Sequence, residues 1–149
     1  MRVLIQRVNC ANVVVDGKVT GAIGQGLLLL VGITHADIEA TEDRMADKVV
    51  KLRIFGDEQG LMNKSALDVG AGLLAVSQFT LYADTKKGNR PSYTDAARPE
   101  QASPAFDRFV AKLAARIGKP VPTGVFGAVM KVSLVNDGPV TIWLDSETL

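Results

Sequence analysis

The chain has one cysteine, Cys10, and one histidine, His35, in 149 residues. A single thiol cannot close an internal disulfide, so the core has to hold by packing. A chain of this length buries roughly 70% of its unfolded surface, enough for one ordinary domain without a staple. Two soft donors are too few for a structural zinc site or a His-based catalytic one, and nothing in the pattern suggests a carboxylate-held magnesium. No metal and no cofactor is therefore expected. A nucleophilic triad built on histidine would depend on His35 alone. Charge of one sign is also scarce: 17 Lys and Arg face 16 Asp and Glu, a net +1. Contact with nucleic acid would need a local basic patch. The longest apolar run, Leu27 to Val31, is far short of the roughly 20 residues that span a bilayer, and no charged n-region with an apolar stretch opens the chain. The expectation is one domain over residues 1–149, cytoplasmic, with no membrane partner.

What is present reads as alternating strands and two helices. Arg2 to Val8 alternates as a strand, and Asn12 to Val15 and Lys18 to Ile23 flank Asp16-Gly17, a hairpin dipeptide. Leu27 to Ile33 reads as a buried strand. Met45, Val49 and Leu52 repeat at helical spacing, predicting an amphipathic helix over Thr41 to Leu52. Phe55 to Gly72 reads as loop with short strands, Leu73 to Tyr82 as a strand, and Ala83 to Pro99 as a long exposed loop. Phe106, Phe109, Val110, Leu113 and Ile117 share a helical face that Gly118 ends. That helix starts at Ser103-Pro104, or nearer Pro99 with a kink at Pro104. Val129 to Val135 and Val140 to Leu144 form two strands joined by Asn136-Asp137-Gly138-Pro139. The class is α+β: a curled, largely antiparallel, barrel-like sheet with two packed helices.

Three segments invite chemistry. Ser77-Gln78-Phe79-Thr80 is either plain strand or a strand end whose backbone N–H groups face a pocket and stabilise an oxyanion. In the Asn136 to Pro139 turn, Pro139 lacks the donor that a second strand needs. Residue preference alone makes the turn an ordinary trans one, whereas a cis bond would present a carbonyl outward as a steric probe. Lys86, Lys87 and Arg90 sit on a loop broken by Gly88 and Pro91, either solvated or in contact with phosphate. Phe126, Gly127, Ala128 and Met130 pack in the core or line a pocket. Cys10 reads as a packing residue and His35 as a surface or capping one.

Together these segments resemble the D-aminoacyl-tRNA deacylase family, editing enzymes that hydrolyse D-amino acids from tRNA. Ser77-Gln78-Phe79-Thr80 resembles its SQFT motif and Asn136-Asp137-Gly138-Pro139-Val140-Thr141 its NxGPVT motif. The likeness continues through Arg2 to Val8, Leu52 to Phe55, Met62 to Ser65, Gly88 to Ser92 and Phe126 to Ala128, covering essentially the whole chain. The resemblance implies that family's fold, and a homodimer in which a cis Gly138-Pro139 peptide enters the partner's pocket. Its carbonyl would obstruct an L side chain while D-amino acids and glycine still fit, so mischarged glycyl-tRNA would be cleared too. Arg7 would support that loop.

The resemblance further implies that Phe79 and Thr80 supply backbone N–H groups to the oxyanion, with Ser77 and Gln78 positioning the strand end and substrate. An aminoacyl ester is already activated, so orientation and oxyanion stabilisation are what the protein must provide. A Thr80 nucleophile would need a base that the motif lacks. Water activated with help from the terminal ribose 2'-OH is the more economical mechanism. Two alternatives remain: a noncatalytic nucleic-acid-binding dimer, and a structural dimer with a degenerate site.

Overall fold

The computed structural model describes all 149 residues. Strand β1 runs over Arg2–Val15, burying Val3 and Ile5 in one alternating stretch and Ala11 and Val13 in another, with Val8 between them where the register against the last strand shifts. The expected break between Val8 and Asn12 is absent because Cys10 stays paired with Val135 across the sheet. Asp16 (φ 50°) and Gly17 (φ 76°) then turn the chain into β2, Lys18–Ile23. Positive φ at both central residues is the turn whose twist suits a two-residue hairpin. Strand β3, Gly26–Gly32, pairs antiparallel with the first half of β1.

The crossover from β3 runs through helix α1 (Glu39–Lys51), a small hairpin of β4 (Phe55–Gly56) and β5 (Met62–Lys64), and a one-turn helix α2 (Ala66–Val69). Helix α2 corrects the reading of Phe55 to Gly72 as loop with short strands, and makes the helix count three. Its signal lies in Ser65-x-x-Asp68, a reciprocal capping box closed by Gly70 in the left-handed region. Strand β6, Gly72–Ser77, returns parallel to β3, as a long crossover permits.

Two expected boundaries move. Strand β6 ends at Ser77, and Phe79–Tyr82 form a 3-10 turn rather than four further strand residues. Gln78 makes the last strand-like bond, N–H to Val31 O at 2.7 Å, and β3 ends at Gly32. The turn then folds over Gly32, where a Cβ would meet Gln78 O and Leu81 Cβ at 3.1 Å. Helix α3 spans Pro99–Ile117, so the start at Ser103-Pro104 gives way to the one at Pro99. Pro99 occupies the first helical position, where a missing N–H costs nothing.

The last strand, β7 (Lys131–Asp145), overturns the idea of two strands joined by a turn. Both halves run antiparallel along the same β1: Arg2 to Gln6 face Asp145 to Thr141, and Val8 to Val14 face Asn136 to Lys131. Asp137, Gly138, Pro139 and Val140 are squeezed outward opposite the single residue Arg7. This is a bulge within one strand. The main core lies between one sheet face and the helices, with Ile5, Leu27, Leu29 and Leu73 against Met45, Val49, Phe109 and Leu113. The curl also buries part of the other face, through Val8, Val13, Leu28, Leu74 and Val76. Strand β3 is therefore apolar on both sides, which its run of leucines requires.

Candidate active site

The end of β6 opens into a cavity of about 590 Å³, within the roughly 300–1,000 Å³ typical of small-ligand sites. Its floor is Val31 and Val76, and one wall is Ser77, Gln78 and Phe79. A second wall is Phe126, Gly127 and Ala128, followed by Met130. The Ser77 to Phe79 and Phe126 to Ala128 segments thus meet although they lie far apart in the chain. Phe126 leans on Phe106 of α3, ring centroids 6.5 Å apart, which places the loop.

The 3-10 turn explains what the Ser77 to Thr80 segment can offer. Bonding from residue i to i−3 leaves the first N–H groups of such a turn without a partner inside it. Here the first internal bond is Leu81 N–H to Gln78 O at 3.3 Å, so Phe79 and Thr80 carry those unpaired leading positions. The Thr80 side chain does not line the cavity. Its hydroxyl accepts a hydrogen bond from Gln78 Nε2, so amide and hydroxyl lock each other.

The cavity wall contains no carboxylate, histidine, lysine or cysteine. His35 is held elsewhere, with Nε2 2.9 Å from Thr94 O, and Cys10 is exposed on β1. The buried phenol of Tyr82 has no hydrogen-bond partner, and burial pushes its pKa well above the tyrosine norm. It stays protonated, and it is not part of the cavity lining.

Sequence reasoning missed the third wall, Tyr93 to Pro99, reading it as part of an exposed loop. Ala96 and Ala97 are buried there: Ala97 N–H donates to Ile33 O at 2.8 Å and Thr34 Oγ1 to Asp95 O at 2.6 Å. Tyr93 meets Phe79 edge to face with centroids 5.0 Å apart. No periodicity announces such a segment, because its partners are loop residues. Lys86, Lys87 and Arg90 lie beyond the Asp84–Ser92 bridge at an exposed tip, away from the cavity wall.

Gly138 and Pro139 also lie outside this cavity. Their peptide is cis and both residues are exposed. The bulge is fastened from beneath: Arg7 Nη1 donates to Ile54 O at 2.6 Å, and its Nε lies 3.1 Å from Asp137 Oδ2. Asn136 Nδ2 donates to Arg7 O and Val140 O, each at 3.0 Å, closing the neck.

The family model described as D-Tyr-tRNA(Tyr) deacylase matches residues 4–145. A D-aminoacyl-tRNA deacylase of Dechloromonas aromatica (strain RCB) is 60% identical over 147 residues, covering 99% of this chain and 98% of that one. The solved structure of a c-Myc DNA Unwinding Element Binding Protein is 40% identical, with a TM-score of 0.91 over 97% of this chain and 98% of that one. A probable eukaryotic D-amino acid tRNA deacylase superposes with a TM-score of 0.82 at 16% identity, over 96% of this chain and 97% of that one. The latter likeness is one of fold alone. Near-complete coverage by the family model and by a relative of such identity settles the assignment: the chain belongs to the D-Tyr-tRNA(Tyr) deacylase family.

Proposed function

We propose that this chain removes D-amino acids and glycine from tRNA while sparing L-aminoacyl esters, using backbone donors and the substrate's own 2'-OH. The coarse activity is hydrolysis of the aminoacyl-tRNA ester, as the family and its close relative indicate. The observation that carries the finer reading is a cavity without a side-chain base on its wall. An ester hydrolase of that kind must obtain its proton transfer elsewhere, and the ribose hydroxyl beside the ester is the nearest candidate.

On this reading the terminal adenosine enters between Phe126 and the Ser77 to Phe79 wall. Water adds to the ester carbonyl carbon, and the oxyanion is met by the Phe79 and Thr80 N–H groups. The 2'-OH takes the water's proton and relays its own to the departing 3'-oxygen, leaving free amino acid and tRNA. Ser77 and Gln78 position the turn, while Gly127, Ala128 and Met130 shape the opposite wall. No metal or cofactor takes part.

Selectivity comes from a second copy. Gly138 and Pro139 stand exposed and outside their own cavity, as a loop made to enter a partner's site would. Strand β7 pairs only with β1 and exposes Val135 and Trp143, an apolar sheet edge suited to dimer contact. The Gly-Pro carbonyl obstructs an L side chain and leaves D-amino acids and glycine room. Lys86, Lys87 and Arg90 contact tRNA phosphate away from the site. The test is loss of ester from matched D-, L- and glycyl-tRNAs. Rapid loss of the D and glycyl esters alone supports the proposal; equal lifetimes of D and L reject it.

A second reading comes from the c-Myc DNA Unwinding Element Binding Protein, whose name describes DNA binding. The unpaired cations of the Lys86 to Arg90 tip favour it here. It predicts tight DNA binding without ester hydrolysis, and the same deacylation assay separates it from the first.

A further inference from the structure

One charged residue lines the cavity. Arg98, an exposed residue, is the sole charged one in a lining otherwise built of apolar, aromatic and neutral polar residues. Of the eight arginines in the sequence, Arg2, Arg7, Arg44, Arg108 and Arg116 are engaged with carboxylates or carbonyls. Arg53, Arg90 and Arg98 have no such partner, and among these three only Arg98 lines the cavity.

Its backbone, in contrast, is fixed. Arg98 O accepts from Gln101 N–H at 3.0 Å and Ala102 N–H at 2.8 Å, and the preceding residue is tied to Ile33. Gln101 Nε2 adds a bond to His35 O at 3.0 Å. A guanidinium that is held at its root and uncommitted at its tip is suited to an oxyanion that offers two oxygens to its planar fork. The aminoacyl-adenosine that fills the cavity is not anionic: its amino group is cationic and its sugar and base are neutral. The nearest negative charge on such a substrate is the phosphodiester on the 5' side of the last nucleoside.

Resting on the deacylase reading above, we propose that Arg98 binds the phosphodiester joining the last two nucleotides of the acceptor end. It acts on binding and orientation, and takes no part in bond making. Arg98 thereby distinguishes a nucleic-acid end from a free aminoacyl nucleoside, a task separate from reading the hand of the amino acid.

The test compares wild type, Arg98→Ala and Arg98→Lys on three D-tyrosyl esters: of tRNA, of the dinucleotide CpA and of adenosine. Arg98→Ala should raise KM about tenfold on tRNA and CpA while leaving kcat within about twofold. The adenosine ester, which lacks the phosphodiester, should be unaffected. Arg98→Lys should recover part of the loss, keeping the charge without the fork. The salt dependence of binding should also flatten in Arg98→Ala, as one phosphate contact is removed. An unchanged KM on CpA, or an equal rise on the adenosine ester, overturns the proposal while wild-type activity upholds the deacylase reading. A wild type inert on all three esters overturns both.

Discussion

Arg7 and Asp137 face each other across the β1–β7 ladder, guanidinium Nε to carboxylate Oδ2 at 3.1 Å, directly beneath the exposed Gly138-Pro139 peptide. With Ile54 O on its other side at 2.6 Å, Arg7 ties the bulge to the segment after α1. The pair is partly buried, so removing one partner leaves the other under-satisfied. Arg7→Ala should loosen the bulge without unfolding the sheet. The D-over-L rate ratio should fall at least about tenfold, a loss on the scale of one charge-assisted hydrogen bond. Circular dichroism should be unchanged, and an unaltered ratio would remove Arg7 from the selection of substrate.

Gly138 has a more severe constraint. It sits at φ 121°, and a Cβ there would meet Val140 Cγ2 at 2.9 Å and Arg7 Nη2 at 3.1 Å. Side chains rarely adopt that φ, and the contacts add to the strain. Gly138→Ala should therefore displace the bulge and cost about 1–3 kcal/mol in stability. Paired D- and L-aminoacyl-tRNA assays should show weakened discrimination or lost activity. Retention of both would mean that the loop is not the selector.

Thr80 offers the sharpest check on mechanism. Its hydroxyl is held by Gln78 rather than presented on the cavity wall. Thr80→Ala should keep activity within about tenfold of wild type, since the backbone N–H survives and only a supporting bond is lost. A tRNA ending in 2'-deoxyadenosine, charged at its 3'-oxygen, should resist hydrolysis by the wild-type chain. An acyl group trapped on Thr80, or full turnover of the deoxy substrate, would reverse the assignment.

Acid sensitivity should arise partly at Asp145. Burial would raise its carboxyl pKa, but the Glu147 N–H and Arg2 outweigh that and hold it below the usual 3.8. A depressed folded pKa means stability that is fully present above the unfolded value. It is lost as pH falls through about 3.8 towards the folded pKa. Asp145→Asn should therefore flatten that acid limb of the unfolding curve and lower stability at neutral pH. An acid limb identical to wild type would contradict the linkage.

Between α1 and α3 the Glu42 carboxylate is almost wholly buried yet meets Arg108 Nη2 at 2.7 Å and Lys112 Nζ at 3.5 Å. Glu42→Ala should destabilise by about 1–3 kcal/mol, because the cations lose their partner and the core gains a void. Glu42, Arg108 and Lys112 all lie outside the cavity lining, so kcat at 25 °C should hold. A melting temperature equal to wild type would place the helix contact elsewhere.

Periodicity made β1, β2, β3 and both long helices legible, since each hides one face and its apolar spacing says so. The cavity was half legible: Ser77 to Phe79 stood out as a motif and lines it, and Phe126, Gly127, Ala128 and Met130, left open between core and pocket, line it too. Tyr93 to Arg98 did not, because hydrogen bonds to Ile33 and Thr34 define that wall and no local pattern encodes them. The bulge in β7 was misread for a physical reason. Asp-Gly favours a hairpin locally, whereas Pro139 and the pairing of both flanks with β1 are tertiary constraints that a dipeptide cannot reveal.

The placement of that bulge has an evolutionary consequence. Residues 131–136 and 141–145 keep separate registers with β1 on either side of it, so a change of length or composition between them need not slide the ladder. The sheet behaves as a frame with one exchangeable tooth. Selection can remodel the tooth while the turn at Phe79 and Thr80, on the opposite side of β3, inherits none of the disturbance.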